Sequence, residues 1–320
     1  MKSKLGIAST SYMGVWRPKD TYEFLEHCHA LGAAGIQAGI HGDIAGEATT
    51  RADVWRIRQR AEQLEMYVEA MVVMPRGADT SAFEQALKDA RDAGAVALRA
   101  ACLGTRRYES FATLGAWQQH VRESHQSIAA ALPLLEKYKI PIGLENHKDW
   151  TADEMAALMK KYASEYFGVC LDFGNNISLL DDPMDAIEKL APYTVTTHLK
   201  NMAVDMDSDG FLLSEVLPGD GYLDVRRIMD IVHKARPNTR WLLEMITRDP
   251  LKVPCLRDGY WASFPDRSGL CLARTLRFVN ANKSARPLPR ILQLSHEEQL
   301  RVEDQNVIDW LSYARDNLGL

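Results

Sequence analysis

Short runs dense in Val, Ile, Leu and Ala alternate along the chain with longer stretches whose apolar residues recur every three or four positions. The first kind suits strands buried on both faces, and the second suits amphipathic helices. The strand-like runs are Leu5–Thr10, Gly35–Ile40, Tyr67–Met74, Ala95–Cys102, Ile140–Asn146, Gly168–Phe173, Thr194–Lys200 and Trp241–Ile246. Helical periodicity covers Thr21–Leu31, Arg51–Leu64, Ser81–Ala93, Trp117–Tyr138, Ala152–Tyr162, Met184–Leu190, Val225–Ala235 and Gly269–Ala281. Thr151 precedes ADEMAALMKK and, with Glu154, has the S/T-x-x-E spacing of a capping box. Ser295 and Glu298 repeat that spacing.

Eight strand–helix units predict an α/β fold, a (β/α)8 TIM barrel with a C-terminal helical extension. Strand centres recur every ~30 to 45 residues, as a barrel of about 250 residues with insertions requires. The main rival, an open doubly wound sheet, usually carries a glycine-rich phosphate turn after its first strand. ASTSYMGVW is not such a turn, and no linker divides the chain. The expected organisation is a barrel over 1–282 and a helical extension over 283–320 packed on it. That extension opens with the proline-punctuated ARPLPRI and continues as one or two amphipathic helices. It is read as packing on the outer wall, with an oligomer contact as the alternative.

Composition narrows the class. With 46% hydrophobic and 25% charged residues among 320, the chain reads as a globular domain. Its 38 basic and 43 acidic residues leave a net charge of −5, with no global pull toward nucleic acid or an anionic membrane. Homo-oligomerisation is compatible with it. The five cysteines are scattered and form no CxxC pair, which argues against a disulfide framework and a zinc knuckle. MKSKLGIASTSYMGVW lacks the apolar stretch and cleavage site of a signal peptide, and no run approaches the ~20 apolar residues of a membrane span. A cytoplasmic location is expected.

Catalytic groups of a parallel barrel gather at the C-terminal strand ends. Four polar residues close apolar strands there: Glu145 in PIGLENH, Asp172 in GVCLDFGNN, His198 in VTTHLKN and Glu244 in WLLEMITRD. They fall on the fifth to eighth predicted strands, one each. A buried carboxylate is expensive unless it is paired or binds a cation. Three of them beside an imidazole either share a divalent metal or are each bridged separately to a lysine or arginine.

The segments GLENH, CLDFGN, THLKN and LLEMI resemble the sugar phosphate isomerase/epimerase superfamily, the xylose-isomerase-like barrels. The resemblance spans about residues 4–282 and is strongest from Ile140 to Arg248. It implies that Glu145, Asp172, His198 and Glu244 hold one divalent metal, and that Glu145 and Glu244 also serve as the acid/base pair. Such an oxygen-rich set with one imidazole suits Mn²⁺ or Mg²⁺, with Co²⁺ and Zn²⁺ still open. A metal chelating the carbonyl and neighbouring hydroxyl of a keto-sugar stabilises a cis-enediolate. Proton return to the opposite face then gives epimerisation, and return to the next carbon gives isomerisation. Loss of a β-hydroxyl gives dehydration.

Departures from the family narrow the choice. Asn175 stands where the endonuclease IV branch places His, and no D-x-H follows His198, which together with the net acidity argues against a DNA-repair role. Val204 stands six residues after His198, where ketose 3-epimerases carry Arg, and Gln37 stands where many members carry Glu. Lys200, His147 and Arg248 share strand parity with the proposed ligands and are candidate substrate contacts. Their alternatives are a solvated lysine, a partner for a ligand, and an orienting group for Glu244. Glu69 and Arg99 are read as an internal ion pair, and Cys170 as a small core residue. Arg106 and Arg107 either grip a phosphate or lie on a solvated loop.

Two long loops, Met202–Tyr222 and Thr247–Ser268, are expected to shape specificity. DMDSDG in the first lacks the terminal Glu of a calcium loop. The second carries Tyr260, Trp261 and Phe264, with Trp261 the candidate for stacking on a sugar and Tyr12 and Trp16 extending that wall. The reading is a metal-dependent isomerase or epimerase of a small carbohydrate. Its rivals are a lyase or dehydratase on a 3-keto-glycoside or inosose, and a non-catalytic sugar-binding barrel.

Overall fold

Each strand-like run contributes a strand to one parallel sheet: β1 (Leu5–Ala8), β2 (Gly35–Gly39), β3 (Tyr67–Met71), β4 (Ala95–Ala100), β5 (Ile142–Glu145), β6 (Phe167–Asp172), β7 (Thr194–His198) and β10 (Trp241–Leu243). The computed structural model describes residues 4–40, 50–77 and 79–320. Strand order is β10-β1-β2-β3-β4-β5-β6-β7. Leu199, just past β7, closes the ring: its N–H donates to Leu242 O at 2.7 Å, and its carbonyl accepts from Glu244 N–H at 3.0 Å. The result is a (β/α)8 barrel.

The helices follow the predicted periodicity. They are α1 (Thr21–Ala30), α2 (Arg51–Leu64), α3 (Ser81–Asp92), the short α4 (Arg107–Ser110), α5 (Leu114–Tyr138), α6 (Ala152–Lys161), α7 (Pro183–Leu190), α8 (Val225–Ala235), the short α9 (Asp258–Trp261), α10 (Gly269–Ala281) and α11 (His296–Tyr313). The Thr151–Glu154 and Ser295–Glu298 capping boxes both form and fix the starts of α6 and α11. At the closed end of the barrel Tyr67 lies against Gly6 and Gly35 and donates to Trp241 O at 2.9 Å. A Cβ at Gly35 would stand 2.5 Å from that ring, so both glycines make room for the plug.

The segment after β7 is more ordered than a loop. It forms the hairpin β8 (Asn201–Asp207) and β9 (Gly210–Val216), to which β11 (Leu251–Val253) adds a third antiparallel strand. DMDSDG is the hairpin turn, with Asp207 opposite Gly210 and Gly210 at φ +150°. Val204 is fully buried in β8 opposite Leu213, which accounts for an apolar residue at that position.

The C-terminal extension bridges from α8 to the rim of the mouth. Arg226 of α8 donates to Asn317 O, and Trp310 donates to Val216 O at 3.3 Å. Glu303 is fully buried and accepts the backbone N–H groups of Val15 at 2.8 Å and Trp16 at 2.7 Å. Tyr12 donates to Asp304 at 2.8 Å, with the Trp16 ring edge-on to it at 5.1 Å. Tyr12 and Trp16 therefore form the dock for this helix instead of a sugar-binding wall. Glu303→Ala strips two buried donors of a charged acceptor and should lower the unfolding free energy by about 2–3 kcal/mol. Urea denaturation checks this against the exposed control Glu297→Ala, whose effect should be much smaller.

Candidate metal centre and active site

The parallel register sets strand ends side by side. Asp172 is the partner of His198 across β6 and β7, and Glu145 is the partner of Cys170 across β5 and β6. Glu145, Asp172 and His198 offer ligand atoms within 4.8 Å of one another, and all are buried. From His198 Nδ1 the nearest carboxylate oxygens are Glu244 Oε1 at 3.3 Å, Asp172 Oδ2 at 3.5 Å and Glu145 Oε2 at 3.7 Å. The four strand-end residues singled out in the sequence thus converge on one point.

The far side of the imidazole decides which nitrogen faces that point. Glu69 Oε2 accepts from Gln37 Nε2 at 3.1 Å and from Thr196 Oγ1 at 2.6 Å. With its amide nitrogen committed to Glu69, Gln37 turns Oε1 toward His198 Nε2 at 2.7 Å. Nε2 must then carry a proton, which leaves Nδ1 as the nitrogen that faces the carboxylates. Nδ1 and Asp172 Oδ1 have no hydrogen-bond partner in the fold. A lone imidazole nitrogen and an unpartnered carboxylate oxygen, flanked by two further carboxylates, fit a hard or borderline divalent cation.

Two cations offset the carboxylates. Arg99 binds Glu145 Oε2, with Nε at 2.5 Å. This corrects the expected Glu69–Arg99 pair: Glu69 faces Gln37 and Thr196, and Arg99 reaches across to β5. Burial pushes the Glu145 carboxyl up, but Arg99, followed by His198 and His147, outweighs it and leaves it at about 2. Lys200 is 1% exposed, pairs with Glu244, and lies 2.9 Å from Asp172 Oδ2. It faces inward. Burial lowers its pKa, yet Asp172, Glu244 and Glu215 more than reverse that, so it stays protonated. Burial drives Asp172 up to about 7 against the pull of Lys200.

Two buried residues of the mouth escaped the sequence reading. Glu215 of β9 accepts from Ile246 N–H at 2.5 Å and Arg248 at 2.8 Å, and lies 3.8 Å from Lys200. Lys148 donates to Asn175 Oδ1 at 2.5 Å. The Asp-Gly turn beside the run GFLLSEV was a hairpin signal, but that run does not alternate and so did not say that Glu215 turns inward. Lys148 carried no such signal. His147 is partly exposed, its Nδ1 has no partner, and burial, with Lys148 adding to it, lowers its pKa to about 3.

Other candidates lie in packing roles. Trp261 donates its indole N–H to Cys255 O at 3.0 Å and packs edge-on to Tyr260, which stacks on Phe264 at 5.0 Å. Cys170 is a buried core thiol, pushed up to about 11 by burial. The phosphate-gripping reading of Arg106 and Arg107 does not hold. Arg107 is 1% exposed and binds Glu154 at 2.8 Å, the carbonyls of Asp149 and Ser263, and the face of Trp117. Arg106 pairs with Glu109 at 2.5 Å. Arg107→Ala should cost about 3 kcal/mol in unfolding free energy, because it leaves buried acceptors unpaired. Arg106→Ala should leave the melting temperature essentially unchanged.

The family described as xylose isomerase-like TIM barrel matches residues 25–261. A 3-oxo-isoapionate decarboxylase from Pectobacterium atrosepticum is 27% identical over 252 residues, covering 76% of this chain and 85% of that protein. Among solved structures, IOLI protein with a bound zinc atom superposes with a TM-score of 0.58 at 13% identity, over 88% of this chain and 96% of the other. A D-psicose 3-epimerase in the presence of D-fructose does so with a TM-score of 0.58 at 17% identity, over 88% and 97%. At these identities the two structures show the shared fold. The family match spans well over half the chain and includes the three converging strand-end carboxylates and His198, with Glu244 as the last: this chain belongs to the xylose isomerase-like TIM barrel family.

Proposed function

We propose that this protein is a divalent-metal-dependent isomerase or epimerase acting on a small keto-sugar through a cis-enediolate. The observation that carries the reading is the approach of three carboxylates to the free nitrogen of His198, all within 3.7 Å. Glu145, Asp172, His198 and Glu244 would hold the metal, which when bound supplies a Lewis acid for the substrate's carbonyl and hydroxyl oxygens. Glu145 and Glu244, arriving from β5 and from the end of β10, would take a proton from carbon and return it. Lys200, kept protonated between Asp172 and Glu244, would stabilise negative charge on substrate oxygen and would not act as an amine nucleophile. His147, neutral and partly exposed, would accept a hydrogen bond from a substrate hydroxyl. Arg248 would line the same mouth.

A second reading, a lyase, is favoured by Arg99. A carboxylate held at about 2 is a weak base, and forming the enolate by loss of CO₂ does not require it to take a proton from carbon. Similarity to a decarboxylase supports that alternative.

Purified protein should bind about one divalent ion per chain. Asp172→Asn and His198→Gln should abolish tight binding, and Gln37→Leu should weaken it about 10- to 100-fold by freeing the imidazole to turn. No binding after addition of Mn²⁺ or Zn²⁺ would sink the mechanism. Protons on Asp172 and His198 must leave before metal enters, and both groups have raised pKa values in the metal-free fold. Metal affinity should therefore rise as pH rises through about 7, where Asp172 loses its proton, and go on rising as His198 loses its own, with proton release detectable by calorimetry in two buffers. In deuterated water, keto-sugars turned over by the protein should exchange the hydrogen next to the carbonyl, and Glu145→Gln should abolish this. Turnover with loss of CO₂ or water instead would establish the lyase.

A further inference from the structure

Among the described residues, three of the four cations set against the carboxylates of the mouth have an anion. Arg99 has Glu145, Lys200 has Asp172 and Glu244, and Arg248 has Glu215. Lys148 is the exception. It is 2% exposed, its ammonium donates to the neutral amide of Asn175 at 2.5 Å, and among the described residues no carboxylate reaches it at ion-pair distance. Burial, with Lys200 and Arg248 pressing on it, lowers its pKa to about 8, so it is still largely charged at neutral pH. A buried ammonium facing only an amide is expensive, and such groups are normally paired.

Among the described residues the site is therefore short of an anion at Lys148. A neutral keto-sugar supplies no anion until its enediolate forms. A substrate bearing a carboxylate supplies one on binding.

We propose that Lys148 and Arg248 recognise a carboxylate on the substrate, so that the compound turned over is a keto-sugar acid. The proposal rests on the mouth being the substrate site, as argued above. Lys148 follows β5 and Arg248 follows β10, so a group between them is held from two sides of the barrel. Arg248 is about a third exposed and uses one nitrogen on Glu215, which leaves further donors of its guanidinium for a ligand. His147, next to Lys148 and with Nδ1 unpartnered, is placed to meet a hydroxyl of the same molecule. A carboxylate held between two cations is stabilised as an anion, so it acts as a handle and is not the group lost as CO₂.

The test is calorimetric titration of the metal-loaded and metal-free protein with L-threonate, neutral threitol and inorganic phosphate. Threonate should bind at least about tenfold tighter than threitol to both forms, the scale of one charge-assisted pair. Lys148→Met should erase that preference, and Lys148→Arg, which keeps the charge, should retain most of it. Metal content and melting temperature of each variant report whether the fold and the metal centre survive. Equal binding of threonate and threitol, no binding of threonate, or a preference that persists in Lys148→Met would each overturn the proposal. The last of these would put the carboxylate on the metal. Phosphate bound more tightly than threonate through Lys148 would overturn it in favour of a phosphate ester. A Lys148-dependent preference for threonate in a protein that takes up no metal would sink the enediolate reading and leave this one standing.

Discussion

Like-charge repulsion among carboxylates in a low-dielectric mouth is the constraint around which this structure is arranged. Glu145, Asp172 and Glu244 each stand within 3.7 Å of one imidazole nitrogen, and Glu215 lies just beyond them across Lys200. Buried anions at such spacing persist only with positive charge between them. Arg99 and Lys200 supply part of it. Asp172 Oδ1 and His198 Nδ1 remain without hydrogen-bond partners, and those two atoms are the ones a divalent cation would use.

Support for this centre comes from concentric layers. One layer in, the chain from Thr196 through Glu69 and Gln37 to His198 crosses the barrel interior and orients the imidazole. One layer out, Glu215 brings the β8–β9 hairpin into the mouth and holds Arg248 and the backbone of Ile246. Further out, Glu303 and Asp304 of α11 anchor the segment after β1. Buried polar groups in all three layers are costly alone and stabilising when satisfied, so each layer specifies the position of the next.

Much of this was legible in the residues. A strand of a parallel barrel is apolar on both faces, so a carboxylate or imidazole at its end is conspicuous, and Glu145, Asp172, His198 and Glu244 were found that way. Parity also turned Lys200 inward correctly. The Glu69–Arg99 pair expected between neighbouring strands does not form, because Arg99 reaches across to Glu145 at the end of β5. Neither a phosphate grip nor a solvated loop describes Arg107, whose charge is satisfied by Glu154 of α6, the carbonyls of Asp149 and Ser263 and the face of Trp117 in α5. Lys148 lies past the end of its strand, where no periodicity says which way a side chain points.

The sequence by itself determined the barrel, the strand that ends in each of Glu145, Asp172, His198 and Glu244, and the caps that start α6 and α11. These depend on local hydrophobic period and on hydrogen bonds between residues three apart, both of which are written in consecutive positions. Only the tertiary structure decided who neutralises whom. Ion pairs such as Arg99–Glu145 and Lys200–Glu244, and the missing partner of Lys148, depend on distances across the mouth between strands far apart in the chain. Coulomb energy follows separation in space and the local dielectric, and neither is encoded in sequence spacing.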